Sequence, residues 1–255
     1  MAPTNKSSRD KVNIGEPENR IQSVEVGSEV ETIDLSSAGI YRMFKNKLLC
    51  NHTQQEIECE ISCGFNIAYV FQADSEWGQE KAKIIQQLLD DNPGAQGDLD
   101  KLRELLRIYN LEDWHWEWSR KAFDCKGPQY EWFYMIAEGR VQGIAIIYHP
   151  EPSRVNGDDI FYIDYLATAR WNRPRPGYQK QFSQVGSLLL AHCIDFAVNV
   201  RGYRPGFCLH SLPNAEAYYV KIGMTDFGLD PEKENLRFFE AKEDAAIALM
   251  GGANG

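Results

Sequence analysis

The chain has no apolar run approaching the roughly 20 residues that a bilayer-spanning helix needs. Its opening residues, Met1-Ala2-Pro3-Thr4-Asn5-Lys6-Ser7-Ser8, lack the apolar stretch of a secretory signal, so no membrane is expected and the expected location is the cytoplasm. Positive charge is scarce as well. Lys and Arg number 27 against 37 Asp and Glu, a formal net charge of −10 over 255 residues. A nucleic-acid binder needs a basic face to displace counterions, so that class of partner is disfavoured. The acidic balance attracts cations instead, amines among them. Six cysteines in a chain of this length do not make a disulfide framework. Cys50, His52, Cys59 and Cys63 lie near one another but lack paired C-x2-C knuckles, so they read as buried or half-exposed thiols and no metal is expected. Internal repeats are lacking too.

What is present is enough hydrophobic sequence, 43%, to bury a core in a single domain. Residues 1–35 are polar, charged and aperiodic and read as a flexible tail, with a second flexible stretch over 246–255. The domain is expected over 36–245. Glu56–Ile61 alternates as a half-buried strand, and Asn66–Phe71 reads as its partner strand. Asp74-Ser75 offers an N-cap for a helix through Leu89, and a second helix runs from Asp98 to about Tyr109. Leu111–Phe123 is a third helical or irregular piece. Its Trp114, Trp116 and Trp118, with Trp132, read as core aromatics, the alternative being a pocket wall.

From Tyr130 the pattern turns to strands: 132–137 and 142–148 joined at Glu138-Gly139-Arg140, then Ile160–Thr168. A basic, Gly/Pro-bearing segment, Arg170–Gln184, leads into a helix from Val185 to Val200. A strand feeding a helix N-terminus through such a turn presents free backbone N–H groups, which suit a phosphate. Strand Phe207–Ser211, helix Asn214–Ile222 and a closing pair around 225–227 and 236–240 complete the chain.

This order of elements, with Gln181-Phe182-Ser183-Gln184-Val185-Gly186 and Asn214-x-x-Ala217-Tyr218-Tyr219-x-x-x-Gly223-Met224, resembles the GNAT superfamily of acyl-CoA-dependent N-acetyltransferases over about 75–245. The resemblance implies an α/β GNAT fold, a mixed, mostly antiparallel central sheet with two splayed parallel strands, flanked by helices and preceded by an N-terminal extension. It implies acetyl-CoA as co-substrate, an amine acceptor (small molecule or protein) and direct attack without an acyl-enzyme. A homodimer is left open. Gln181 and Gly186 match the family's Q/R-x-x-G-x-G/A signature, whereas Gln184 stands where its first Gly is expected. The implied cofactor-binding set is Leu166, Ala167 and Thr168 on the strand, Gln181, Phe182, Ser183, Gln184, Val185, Gly186 and Ser187 at the turn, and Asn214. Arg170, Arg173, Arg175 and Lys180 are available either as phosphate ligands or as solvated loop charges.

Tyr219 matches the family's general acid, and a phenol of pKa about 10 holds a donatable proton at neutral pH. Its alternative reading is a packed helix aromatic. The base is open between Asp164, on the strand beside the expected thioester, and His210 at the end of the next strand, with Glu131 a distant third. The alternative function is a catalytically weak or inactive GNAT-fold binding or regulatory protein that works through protein partners.

Overall fold

The computed structural model describes residues 42–252. An eight-stranded sheet in the order β1-β2-β3-β4-β5-β6-β8-β7 forms its centre. The strands are β1 (Arg42–Leu49), β2 (Glu56–Cys63), β3 (Tyr130–Ala137), β4 (Arg140–Pro152), β5 (Asp159–Thr168), β6 (Phe207–Ser211), β7 (Thr225–Asp230) and β8 (Leu236–Ala241). Every neighbouring pair is antiparallel except β5–β6. Helices α1 (Ile67–Asp91), α2 (Leu99–Ile108) and α3 (Trp118–Asp124) lie between β2 and β3. Helix α4 (Val185–Asp195) follows β5, α5 (Glu216–Lys221) follows β6, and α6 (Glu243–Gly252) closes the described chain. This is the mixed, mostly antiparallel sheet with one parallel pair, flanked by helices, that was expected from the sequence.

Alternating strand residues split the core between two faces. Phe133, Met135, Phe161, Ile163, Phe207 and Leu209 point to the α4 face, where they meet Leu189, Cys193 and Phe196. Trp132, Tyr134, Ile144 and Ile146 point to the other face and pack under Val70, Ala73 and Trp77 of α1 and Trp118 of α3. The sheet and α4 approach closely at Gly143, where a Cβ would stand 2.7 Å from Leu189 Cδ1 and 2.9 Å from Val185 Cγ1.

Three elements differ from expectation. The segment expected as strand 66–71 is the first turn of α1, and Asn66 caps it by accepting from the Ala68 and Tyr69 amides. Helical burial of Val70, Ala73 and Trp77 at i, i+3 and i+7 outweighs the β-propensity of its valine and aromatics. Asp74 therefore sits inside α1, where it caps α3 instead: its carboxylate accepts from the Trp118 and Ser119 amides at 2.6 and 2.8 Å. Strand β1 lies in a stretch for which the sequence assigned no element. At the other end, α6 carries packed chain past residue 245, with Ala246 fully buried. The expected tail over 1–35 lies outside the described residues.

Among the described residues no helix is long and apolar enough to cross a membrane, and no three His, Cys, Asp or Glu side chains converge as metal ligands. All six cysteines are free and buried.

Candidate active site

Strands β5 and β6 pair over only three residues, Phe161–Ile163 against Phe207–Leu209. Beyond Ile163 they part, so among the described residues the β6-facing edge of β5 has no strand partner from Asp164 to Thr168. On its other edge, β5 carries a bulge: Tyr165 lies opposite Ile146 and Ile163 opposite Ile147, which leaves Asp164 as the extra residue. A bulge re-aims the backbone and side chain at one position, and here that position is the mouth of the gap.

The expected cofactor residues gather around this gap. Leu166, Ala167 and Thr168 form the free edge, and α4 begins beside it, with Thr168 Cγ2 only 3.7 Å from where a Gly186 Cβ would lie. Within the described residues the amides of Gly186 and Ser187 have no acceptor, as helix N-termini leave them. Ser187 Oγ is 3.2 Å from the Tyr218 hydroxyl, which ties α4 to α5. Gln184 is the N-cap of α4 and adopts φ 64°, ψ 4°. That backbone is left-handed, the conformation glycine adopts most cheaply.

The approach to α4 is held by the N-terminal hairpin. The Asn51 amide donates to Gln181 O at 2.8 Å, the Ser183 amide to Leu49 O at 3.2 Å, and Ser183 Oγ to Asn51 Oδ1 at 2.8 Å. The Phe182 amide donates to Asn172 Oδ1, and Gln181 Nε2 reaches Glu138. Phe182 and Val185 are buried and serve as packing anchors.

The basic cluster offered for phosphates is largely spent elsewhere. Arg170 and Arg173 both pair with buried Asp113, and Arg175 pairs with Glu80 while stacking on Tyr178. Burial alone would push the Asp113 carboxyl up, but Arg173 and Arg170 hold it well below the usual carboxylate range. Burial lowers Arg170 to about 10. These guanidiniums stand under the loop, because a charge out of water needs an opposite charge beside it. Of the four, only Lys180 has no ion-pair partner among the described residues.

Asn214 is also engaged by the protein itself. Its Nδ2 donates to Arg107 O at 2.7 Å and to Asn110 Oδ1 at 3.1 Å, and its amide donates to Glu112, so it ties the α2–α3 connection over the ends of β5 and β6.

A cavity of about 360 Å³ opens on the α1/α3 face of β5 and β6 and holds both candidate bases. Asp164 accepts from Cys125 Sγ at 3.4 Å, and burial raises its carboxyl above the ordinary range. His210 holds Tyr162 on Nδ1 and Asp230 on Nε2. Tyr130, Tyr148, Glu151 and Arg154 complete the near walls. Behind Asp164, Lys121 Nζ lies 3.2 Å from the Tyr165 ring centre and 4.5 Å from that of Trp116, and burial lowers the ammonium to about 8. Tyr219 is on the other side, in the α4-face core against Phe239, and burial pushes its phenol well up. Glu131 is away from the cavity, beside Arg201.

The sequence reading missed Tyr162, Asp230, Lys121 and Cys125 as members of this region. Tyr162 lies two residues before Asp164, so strand periodicity carries a signal for it. The others arrive from α3 and the β7–β8 turn, and no local spacing links them to β5.

No family model matches the chain, and no curated protein matches it. Solved structures do. The Thermoplasma acidophilum PaiA N-acetyltransferase in complex with coenzyme A shares 14% identity at a TM-score of 0.38, over 71% of this chain and 98% of that one. The ribosomal-protein-S18-alanine N-acetyltransferase of Escherichia coli shares 21% at 0.33, over 52% and 83%. A proposed streptothricin acetyltransferase of Bacillus anthracis, in complex with acetyl coenzyme A, shares 17% at 0.34, over 46% of this chain. The match spans 64% of that protein's length. At these scores the likeness says nothing of substrate or mechanism.

Proposed function

We propose that this chain is a GNAT-type N-acetyltransferase that moves an acetyl group from acetyl-CoA to a primary amine by direct attack. The observation that carries the reading is the gap between β5 and β6. It offers an unpaired strand edge to a pantetheine arm, the N-terminus of α4 to a pyrophosphate, and a cavity with basic groups on the opposite face to an acceptor. The amine nitrogen bonds to the thioester carbon, the C–S bond breaks, the amine gives up a proton to the cavity, and the departing thiolate takes one. Holding both substrates in register supplies much of the acceleration.

Tyr219 is assigned as the proton donor to the thiolate. Its phenol is held protonated by burial. Tyr219→Phe is expected to lower kcat by on the order of 100-fold while acetyl-CoA affinity stays the same. Unchanged turnover would remove Tyr219 from the mechanism.

One observation favours the second reading, a GNAT-fold binding protein without turnover: the arginines best placed for phosphates are paired inside the fold. Calorimetric titration with acetyl-CoA and desulfo-CoA, followed by mass spectrometry of an amine panel, separates the two. Micromolar binding with an acetylated product supports the enzyme. Absent binding and absent product support the binding protein.

A further inference from the structure

Within the acceptor cavity, Tyr162 of β5, His210 of β6 and Asp230 at the end of β7 form an unbroken hydrogen-bonded chain. The Tyr162 hydroxyl is 2.9 Å from His210 Nδ1, and His210 Nε2 is 3.0 Å from Asp230 Oδ2. A carboxylate only accepts, so Asp230 fixes the proton of neutral His210 on Nε2. Nδ1 is then the acceptor, and the Tyr162 hydroxyl donates to it. Tyr162 lines the cavity, so its hydroxyl is the end of the chain nearest to whatever enters. Both ring nitrogens of His210 are occupied, so a proton from a molecule in the cavity reaches the imidazole only through Tyr162.

We infer that Tyr162, His210 and Asp230 are the relay that deprotonates the acceptor amine, with Tyr162 the residue that touches it. This rests on the acetyltransferase reading and adds the proton's route to it. The acceptor arrives as R–NH3+. Its proton passes to Tyr162 Oη as the hydroxyl proton of Tyr162 passes to His210 Nδ1. The products are R–NH2, an unchanged phenol and an imidazolium whose Nε2–H faces Asp230. One proton has moved, and the open cavity returns it to solvent. Asp230 is a positioning residue: it sets the tautomer and stabilises the imidazolium without meeting the substrate.

The surroundings suit that role. Burial raises the Tyr162 phenol well above its ordinary value, so the hydroxyl relays a proton rather than ionising. Burial also lowers His210, with Asp230 opposing it, so the ring is neutral and ready to accept at pH 7. Arg154 (3.7 Å from Asp230) and Lys233 add positive charge around His210 from the loop after β4 and the β7–β8 turn. Asp164 and Glu151 of β5 and β4 and Glu232 of the turn face the same cavity, and the ring of Phe238 on β8 packs 5.0 Å from that of His210.

Two measurements on the full chain test this. The first needs no turnover: ¹⁵N-histidine NMR, with the His210 signals assigned by their loss in His210→Gln. The Nε2–H tautomer is expected, weakened in Asp230→Asn. An Nδ1–H tautomer in the unaltered protein would overturn the relay, since the ring would then donate to Tyr162. The second is kcat against pH at saturating n-butylamine or Nα-acetyl-lysine amide, with acetyl-CoA. In the unaltered protein kcat rises through a titration below about pH 6.5 and then levels. Tyr162→Phe lowers the plateau about 100-fold, abolishes that acid limb and leaves the KM for acetyl-CoA unchanged. Turnover with an unaltered profile in Tyr162→Phe overturns the relay alone. Absence of turnover in the unaltered protein, with either amine, overturns the acetyltransferase reading and the relay's role with it.

Discussion

Two polar clusters flank β5, and they have opposite fates. At its C-terminal end Asp113, Arg170 and Arg173 form an ion cluster sealed under the α2–α3 connection, with Arg170 and Asp113 at most 5% exposed. In its N-terminal half Tyr162, His210 and Asp230 form a chain of similar density that opens into a 360 Å³ cavity. The first contains two of the four basic residues that the sequence offered as phosphate ligands or as solvated loop charges, Arg170 and Arg173, and both are paired with Asp113. The second carries less charge but lines a cavity that a ligand can enter.

The comparison breaks most decisively at Asp113. Asp113→Ala strands two buried guanidiniums and is expected to cost about 3–5 kcal/mol in urea unfolding. Its mirror is Asp230→Asn at the open cluster, which should leave the unfolding midpoint near its original value while lowering turnover and shifting its pH dependence. An equal loss of stability at both would erase the distinction.

Acid sharpens the same contrast. The folded Asp113 carboxyl is depressed, so it contributes stability that is complete above its ordinary value near 4 and is lost as pH falls below that. Unfolding curves between pH 5 and 2 should therefore show a steep loss in the unaltered protein and a shallower one in Asp113→Asn. Parallel curves would mean that other carboxylates govern acid unfolding.

The smallest expected effect is at the α4 N-cap. Gln184→Gly relieves a left-handed residue but frees the unfolded chain, for a net gain of about 0.5–1 kcal/mol. Acetyl-CoA affinity should hold or tighten. Destabilisation would show that the Gln184 side chain supports the turn.

Much of this fold is legible in the sequence because β5, β6, α2 and α4 carry strong local periodicity. Strand Ile160–Thr168 and strand Phe207–Ser211 were placed within a residue of the structure's β5 and β6. The start of α1 was not, because a Val- and aromatic-rich segment follows strand propensity until tertiary burial decides. The site divides along the same line. Residues along the gap, with Asp164 and His210 in the cavity, follow from strand order and from the GNAT resemblance, whereas Tyr162, Asp230, Lys121 and Cys125 do not. The pairing of Arg170 and Arg173 with Asp113, and of His210 with Asp230, joins residues far apart in sequence through contacts that no local pattern encodes.

The acetyltransferase reading puts acetyl-CoA in the gap between β5 and β6. Hydrogen exchange of the full chain with and without acetyl-CoA tests it most directly. Slowed exchange confined to Leu166–Thr168 and Gln184–Ser187 is the predicted result. Unchanged exchange at saturating acetyl-CoA, or protection confined to another part of the fold, would contradict it.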